Sequence, residues 1–472
     1  MPFILGANEI KSTGYEVANS CRFDTNAGMN KTAGNGTRTK ATFSAWVKRS
    51  VLGDESLLFN SRIDASNHFL IRFTGGDALE LVNRISASNI SFYTTNALYR
   101  DPSAWMHVLW IIDTTLGTAG DRIKLFVNGT RVTSWATSTT QNQDTNLAAN
   151  INTAEYYVAQ EYTSGDNYFD GYLAEVVYLD GVAASSTDFG EFSEDSPQIW
   201  IPKDVSGLTF GTSGFYLDFE DSSNLGNDKN GGTDLTENNL AATDQTTDTC
   251  TNNFCTLNPL NVPTANAPVF SEGNTKVVTP SASGGYYGGS STMGVTSGKW
   301  YFEFITDSDP SSVNSTFGMT YNPGEDARNN WHAAQLNDHC WAYNLGDGKI
   351  YYNNTAASYG DTLTTSDILG MAVDLDNHKI YWAKNNTWQN SGNPESGSTG
   401  TGAYSLDTDK TYFVTVGDVN STPQATIQVN FGNPYKALSS AANDANGYGS
   451  FEYAPPDGYY SLCTKNLAEF GG

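Results

Sequence analysis

Short runs of alternating apolar and polar residues recur along most of the chain, separated by Gly, Asn, Asp and Pro. Such period-two runs bounded by turn residues predict β-strands. The clearest predicted strands are, in chain order, 42–48, 68–73, 78–82, 105–113, 172–179, 214–219, 299–305, 316–320, 370–376, 411–416 and 425–431. The run 105–113 is almost continuously apolar, which predicts a central strand covered on both faces. The pattern therefore predicts an all-β chain of sandwiches or jelly rolls.

Two of the predicted strands run into turns suited to positive φ. Residues 121–127 lead into Asn128-Gly129, and residues 378–384 lead into Asn385-Asn386. Asn and Gly tolerate positive φ better than other residues, so both sites predict tight β-hairpins. The two turns lie far apart in the chain, which favours two domains in series over a single domain.

The stretch 224–274 differs in character from the rest of the chain. Asn, Asp, Thr and Gly dominate it and its apolar residues are isolated. Because it lacks the apolar density to fold alone, it predicts an extended connector. The predicted organisation is two tandem β-sandwiches: a first in 1–223, the connector in 224–274, and a second in 275–472 that includes a C-terminal tail.

Composition supports this organisation and narrows the partners. The 472 residues suit two to four domains, and a charged fraction of only 16% with 45 Gly suits many turns. The chain has 25 Lys and Arg against 51 Asp and Glu, a net charge of −26. A surface this acidic repels phosphate backbones and anionic lipid. We therefore expect no nucleic-acid binding. Neutral glycans, cationic protein surfaces and calcium remain compatible with it.

The sequence shows no clear targeting segment and no clear cysteine motif. No apolar run has the length of a membrane span, and the first residues lack the basic and apolar regions of a signal peptide. We therefore expect no membrane insertion and no secretory leader. The five cysteines are scattered and odd in number. Free thiols are expected, although Cys250 and Cys255 could close a small disulfide loop in an oxidising medium.

Two sets of segments resemble known domain families. Residues 43–48, 105–108, 125–129 and 169–176 resemble the concanavalin A-like, or laminin-G-like, jelly roll. Residues 300–303, 317–319 and 370–386 resemble the SPRY domain. The second resemblance implies a compact sandwich that binds peptides through loops at one edge. Both families mostly bind rather than catalyse.

Further segments resemble bacteriophage structural proteins, notably marine tail-fibre-like ones. They are residues 180–183, 200–203, 214–219, 251–260 and 459–467. The resemblance implies a virion protein made in the host cytoplasm. Its partners would be other virion proteins and a host-surface glycan or protein. A homo-oligomer is expected, with a trimer as the first expectation, although no heptad stretch is present to trimerise the chain.

Catalysis is not expected. Jelly-roll glucanases of the concanavalin-like superfamily carry a Glu-x-Asp-x-x-Glu strand, and this spacing is absent here. His107 follows an aromatic strand and is better explained by packing. His339 precedes Cys340, but we find no acidic orienter for it in the sequence and expect no nucleophilic dyad.

Ligand binding would fall to loops that carry exposed aromatic rings beside amides and carboxylates, because sugars stack on rings. The candidate residues are Tyr162, Asp166, Asn167, Tyr168, Asn330, Trp331, Asn386 and Trp388. Packing in the core or between subunits is the alternative for each aromatic residue. No cofactor is expected apart from a structural calcium ion, whose candidate ligands are Asp166, Asp170, Asp374 and Asp376. Asp is also an ordinary turn residue, so these four stay open.

Three functions compete at this stage. The first is a tail-fibre-like or head-fibre adhesin that contacts host glycan or protein. The second is a capsid or tail decoration or connector protein without a receptor. The third, a glycoside hydrolase, is the least favoured because the carboxylate spacing is missing.

Overall fold

The computed structural model describes residues 14–139, 141–162, 167–263, 265–282, 285–308, 314–329, 338–419 and 423–471. The chain divides into two compact units, one within Ser12–Thr251 and the other within Asn252–Gly472. Antiparallel strands make up nearly all of the regular structure in both. The prediction of an all-β chain with two tandem sandwiches is confirmed. The bounds 1–223, 224–274 and 275–472 stay a prediction.

The first unit holds eighteen of the described strands. They are β1 (Ser20–Phe23), β2 (Gly28–Thr32), β3 (Lys40–Arg49), β4 (Ser56–Asp64), β5 (Asn67–Phe73), β6 (Ala78–Ile85), β7 (Ser88–Leu98), β8 (Met106–Asp113), β9 (Ile123–Val127), β10 (Thr130–Arg131), β11 (Trp135–Ser138), β12 (Glu155–Val158), β13 (Gly171–Asp180), β14 (Gly190–Phe192), β15 (Trp200–Pro202), β16 (Phe215–Leu217), β17 (Thr236–Asn238) and β18 (Gln245–Thr246). Short 3-10 helices occupy Ala119–Asp121, Ser186–Asp188 and Ala242–Asp244.

These strands form two large sheets and a two-stranded ladder of β14 and β15. Sheet I has the order β10-β9-β8-β3-β13-β1-β18, with β16 also paired to β13. Sheet II has the order β11-β7-β6-β5-β4-β12-β2-β17. Phe43 of sheet I stacks on Phe59 of sheet II with ring centroids 5.6 Å apart, and Tyr178 of sheet I stacks on Phe59 at 4.7 Å. Aromatic stacking between the two inner faces is thus part of the shared core.

The outer face of sheet I is also covered. Leu109 and Val177 on that face pack with Phe189 and Phe210, which come from the long segment between β13 and β16. All ten residues of β13 are buried as a result. The predicted doubly covered strand 105–113 is found as β8, and all eight of its residues are buried.

The polar stretch predicted as a connector carries some regular structure. β17 pairs with β2 of sheet II and β18 pairs with β1 of sheet I. Leu235 is buried in the core of the first unit. Further along, Leu257 is buried in the core of the second unit. Isolated apolar residues therefore anchor this stretch despite its low apolar density.

The second unit holds the remaining described elements. Its strands are β19 (Val269–Ser271), β20 (Lys276–Val278), β21 (Tyr287–Ser290), β22 (Lys299–Thr306), β23 (Ser315–Thr320), β24 (Cys340–Asn344), β25 (Lys349–Tyr352), β26 (Thr355–Ser358), β27 (Ile368–Asp374), β28 (Lys379–Lys384), β29 (Thr387–Trp388), β30 (Tyr404–Ser405), β31 (Phe413–Asp418) and β32 (Thr426–Asn430). Its helices are α1 (Pro323–Asn329) and α2 (Thr464–Phe470), with 3-10 helices at Gln389–Ser391 and Pro394–Thr399. No helix in the described ranges is both long and apolar enough to cross a membrane.

Two sheets face each other in this unit as well. Sheet III has the order β19-β20-β32-β22-β27-β28-β29, with β30 on β28, and sheet IV has the order β21-β31-β23-β24-β25-β26. Phe304 of sheet III stacks on Phe317 of sheet IV at 4.7 Å. On its other face, Tyr301 and Tyr381 of sheet III pack with Phe451 and Tyr459 of the C-terminal tail.

The two hairpins predicted at Asn turns share one hydrogen-bond arrangement. Asn128 has φ 47° and Asn385 has φ 45°. The main-chain N–H of Asn128 donates to the carbonyl of His107, whose own N–H donates to the Asn128 side chain at 2.7 Å. Asn385 repeats both bonds with Ile368, the second at 2.9 Å. In each turn the amide side chain supplies the acceptor that a continuing strand would have provided.

A bulge in β13 buries an acidic side chain. The register of β13 on β3 shifts between Ala174 and Val177, and Glu175 within the bulge has φ 49°. The Tyr216 hydroxyl donates to Oε2 of Glu175 at 2.8 Å, and no Lys, Arg or His among the described residues forms an ion pair with it. Burial raises the pKa of Glu175 to about 8. The folded state therefore holds this group as a neutral acid near pH 7.

We expect Glu175→Gln to remove a pH-dependent weakness of the first unit. Between pH 4.5 and 8 the unfolded carboxyl is ionised while the folded one keeps its proton, so wild-type stability falls as the pH rises. The amide mimics the neutral acid and should flatten this slope, raising stability near pH 8 by a few kcal/mol. Urea unfolding at pH 5 and pH 8 measures the effect, with hydrogen exchange of β13 peptides assigning the transition.

Glu191→Gln is the control for this prediction. Glu191 lies on β14 with half of its side chain exposed and pairs with Lys203 at 2.8 Å. Its loss should leave the pH slope unchanged. An equal slope in wild type and Glu175→Gln would show that Glu175 ionises normally in the folded protein.

Candidate functional site

A row of polar side chains crosses the outer face of sheet II. Glu155, Arg62, His68, Arg84 and Asn89 occupy directly opposed positions on β12, β4, β5, β6 and β7. Directly opposed residues of antiparallel strands point to the same face. We call these five residues the cross-strand row. Asn89 is exposed and the other four are partly exposed, so the row meets solvent.

An apolar strip lies beside the cross-strand row on the same face. It consists of Leu57, Leu70, Val82 and Phe92, which pack together as one cluster. The first three are almost fully buried, while Phe92 is partly exposed. The row supplies hydrogen-bond donors and acceptors beside apolar side chains. This combination matches a saccharide, whose hydroxyl groups surround apolar ring faces.

Two described residues of the predicted loop, Tyr162 and Asn167, lie near Arg62 of this row. The Arg62 guanidinium lies over the Tyr162 ring, 4.4 Å from its centroid, and 3.6 Å from Oε1 of Glu161. Asn167 Nδ2 donates to Oε2 of Glu161 at 2.7 Å. The structure thus brings two predicted residues, Tyr162 and Asn167, to the Arg62 end of the row. Tyr168 is partly buried, and the predicted Asp166 lies outside the described residues.

A small cavity opens near β7, β9 and β11 of the first unit. Its volume is about 280 Å³, and its lining mixes apolar and polar side chains. Trp135 and Tyr93 line it and pack edge to face at 5.3 Å, while Arg131 lies at its wall. Arg131 is paired with Asp121 at 3.0 Å. The cavity suits one small amphipathic group, and the sequence pattern gave no sign of it.

The second unit presents an aromatic cluster. Trp341 stacks on Tyr352 with centroids 4.4 Å apart, and Tyr321 packs against both Trp341 and Tyr412. Lys410 Nζ lies 5.0 Å from the Tyr321 ring centroid. Tyr321 and Tyr352 are partly exposed. The predicted Asn330 and Trp331 lie outside the described residues, so this cluster was reached only through the structure.

A buried His–Asp pair lies next to this cluster. His339 Nε2 is 2.9 Å from Asp326 Oδ1, and its Nδ1 is 3.1 Å from Asp338 Oδ1. The expectation that His339 lacks an acidic orienter is therefore wrong. Burial disfavours the imidazolium, but the hydrogen bond and charge of Asp326, with help from Asp338, outweigh it and raise the pKa of His339. Cys340 packs instead with Ala342 in a separate cluster, because successive strand residues face opposite ways.

The other predicted ligand residues of the second unit do not form a comparable surface. Asn386 is exposed in the turn between β28 and β29 with φ 65°. Trp388 is partly buried and packs against Tyr381 at a centroid distance of 6.4 Å. For Trp388 the packing alternative fits the structure better than ligand stacking.

The three described calcium candidates, Asp170, Asp374 and Asp376, do not converge on a site, and Asp166 lies outside the described residues. Among the described residues, no group of three or more His, Cys, Asp or Glu side chains is placed to hold a metal ion. Asp374 is fully buried, 3.3 Å from the Lys299 ammonium, and accepts from Asn377. Asp376 accepts from the main chain of Gly298 at 2.8 Å. Because Lys299 already neutralises Asp374, the two aspartates Asp374 and Asp376 do not fit a calcium site. Asp170 is buried at the entry to β13.

His107 is held as a neutral structural residue. The indole N–H of Trp200 can only donate, so His107 Nδ1 accepts it at 3.2 Å. Nε2 then carries the proton and donates to the Ser44 hydroxyl at 2.8 Å. Burial lowers the pKa of His107 to about 3. All three residues are buried, so this histidine packs the outer face of sheet I.

Comparison with known proteins assigns both units to domain families. Residues 23–187 match the concanavalin A-like lectin/glucanases superfamily, in its laminin G-like branch. Residues 299–433 match the SPRY domain family. The chain therefore contains a concanavalin A-like, laminin G-like domain and a SPRY domain. These two families suggest carbohydrate or protein binding. No curated protein matches the chain.

Solved structures resemble parts of the chain at low identity. The SPRY domain of human HERC1 is 18% identical, with a TM-score of 0.28, over 37% of this chain and 96% of that one. A pentraxin from Limulus polyphemus is 12% identical, with a TM-score of 0.28, over 37% and 81%. A putative carbohydrate binding protein from Bacteroides ovatus is 15% identical, with a TM-score of 0.30, over 44% and 53%. At these scores the similarities carry no argument about function.

We expect Asp326→Asn to lower the pKa of His339 below its wild-type value. The buried carboxylate at Nε2 is the main group that favours the imidazolium, and an amide cannot replace its charge. NMR titration of the histidine ring signals measures the shift. Asp338→Asn should lower the pKa less, because the Asp338 side chain is 76% exposed and screened by water. Equal shifts in the two variants would contradict this assignment.

Proposed function

We propose that the chain is a bacteriophage virion surface protein that binds a host-surface glycan or protein, as a tail-fibre-like or head-fibre adhesin. The observation that carries the proposal is the cross-strand row beside the apolar strip, on a domain whose family suggests carbohydrate binding. The segments that resemble phage structural proteins support the virion assignment. The SPRY domain supports a second contact, with a protein partner.

The chemistry of the row fits reversible recognition. Arg62 and Arg84 donate hydrogen bonds from planar guanidinium groups, and Asn89 both donates and accepts. Glu155 accepts from Asn30 Nδ2 at 2.8 Å and from the Thr32 hydroxyl at 3.0 Å, which holds its carboxylate in place. A saccharide on this face would exchange hydrogen bonds with the row while its ring covers Phe92. The proposal includes no covalent step, so the proposed role is that of a binding protein and not of an enzyme.

The proposal also includes the location, the partners and the oligomeric state of the chain. The chain would be built into the virion after synthesis in the host cytoplasm, contact other virion proteins, and form a homo-oligomer, with a trimer as the first expectation. Neither nucleic acid nor a membrane is a partner. A decoration or connector protein without a receptor is the second candidate. Quantitative mass spectrometry of virions separates the two, because hundreds of copies indicate decoration and a few dozen at most indicate a fibre.

We expect the labelled full chain to bind host cells and to inhibit phage adsorption. Phe92→Ala should weaken cell binding severalfold, because it removes the partly exposed ring beside the row. Flow cytometry with the labelled protein measures the effect.

Phe192→Ala is the matched control for Phe92→Ala. Phe192 is 45% exposed but packs on Trp200 away from sheet II, so its loss should leave cell binding unchanged. Absence of cell binding by the wild-type chain would reject the adhesin and leave the decoration protein.

A further inference from the structure

The cross-strand row contains one positive charge, that of Arg84, for which the described residues supply no acidic partner. His68 lies directly between Arg62 on β4 and Arg84 on β6. Arg62 and Arg84 are two strands apart, about 10 Å, and both lie next to this histidine. This arrangement stands out in a chain with a net charge of −26, where carboxylates outnumber cations two to one.

The nearby carboxylates are engaged at the other end of the row or in a turn. Glu155 is held by Asn30 and Thr32, and Glu161 lies beside Arg62. Asp64 closes the β4–β5 turn through the main-chain N–H of Ser66 and the side chain of Asn67. These three acids therefore leave the β6 end of the row uncompensated.

Arg84 has no acidic partner within the described ranges. Its one side-chain hydrogen bond goes from Nη1 to the neutral amide oxygen of Asn89, at 3.3 Å. Arg84 Nε and His68 Nδ1 are buried, and neither finds a hydrogen-bond partner in the part of the chain that the structure describes. Burial, together with Arg62 and Arg84, lowers the pKa of His68. A buried donor without a partner costs free energy, so the folded protein retains this arrangement at a cost.

Arg72 lies on the same face and, unlike Arg84, is paired with carboxylates. It pairs with Glu80 at 2.7 Å and with Glu55 at 2.5 Å. Both arginines lie on the outer face of sheet II, but only Arg72 is saturated by carboxylates. The contrast assigns Arg72 to the fold and leaves Arg84 available for a ligand.

We propose that Arg84 and His68 of the cross-strand row bind the anionic group of an acidic saccharide, with the partly exposed Phe92 ring as the contact for the sugar ring. The guanidinium of Arg84 matches a carboxylate or a phosphate, which it can bind through two N–H groups. Phe92 of the neighbouring strand β7 lies on the same face and gives the ligand a partly exposed apolar contact that a free anion would not use. This inference rests on the proposed function and names the class of glycan.

Three probes that share the glucose ring and differ in their charged group test the anionic group directly: glucuronate, glucose 6-phosphate and glucose. The full chain is labelled in its five histidine rings, and His68→Gln assigns the signal of His68. Glucuronate or glucose 6-phosphate should shift the His68 signals at concentrations where glucose does not. The stronger of the two anions identifies a carboxylate or a phosphate as the source. Equal shifts with all three, or no shift with any, would overturn the proposal.

Arg84→Gln should weaken anion binding by about tenfold, as expected for loss of one charge-assisted contact. Arg84→Lys keeps the positive charge but loses the planar guanidinium that can donate two parallel hydrogen bonds. Its affinity for the anion should therefore lie between those of the wild type and Arg84→Gln. Lys203→Gln removes one positive charge from the first unit beside β14, away from the row, and should leave binding unchanged. Thermal unfolding shows which variants fold. Unchanged anion binding by a folded Arg84→Gln chain would overturn the assignment.

The same variants separate this inference from the adhesin proposal. If the wild-type chain shows no anion effect on His68, and Arg84→Gln binds cells as well as the wild type, the acidic-saccharide site is rejected and the adhesin remains. An anion effect on His68 without any cell binding supports the site and rejects the adhesin.

Discussion

The double burial of sheet I constrains the rest of the first unit. β13 is buried along its whole length because the shared core covers one face and the segment around Phe189 and Phe210 covers the other. The groups that this burial traps, neutral His107 and the protonated Glu175, are held by hydrogen bonds and have no access to a ligand. Sheet II, in contrast, keeps partly exposed polar side chains on its outer face. A ligand surface built on strands therefore falls to sheet II.

Most of the fold could be predicted from the sequence because its signals are local. The apolar run 105–113 and the alternation at 42–48 each lie within one strand, and they were found as β8 and β3. The Asn128 and Asn385 turns were equally predictable, since their hydrogen bonds depend on the residue type at one position. The polar stretch 224–274 was harder, because its strands are two or three residues long and are held by the sheets they join.

The candidate site could be predicted only in part. Tyr162 and Asn167 were identified because an aromatic ring beside amides is visible within one loop. Arg62, His68 and Arg84 lie on three strands, and only the pairing register places them side by side. A shift of one residue would turn each to the opposite face, and this sheet contains several bulges that shift the register. Sequence periodicity does not fix those shifts, so the row emerged only from the structure.

The direction of the cross-strand row sets how a ligand would be held. Five adjacent strands spaced by about 4.8 Å give the row a length of about 19 Å, perpendicular to the strands. A chain-like ligand along it would contact five backbone segments that are consecutive in the sheet but not all consecutive in sequence, since β12 lies far from β4 in the chain. Fraying of the β6–β7 turn would release the contacts of Arg84 and Asn89 and leave the other three in place. Attachment of this kind tolerates local opening of the sheet, because the remaining strands keep their contacts with the ligand.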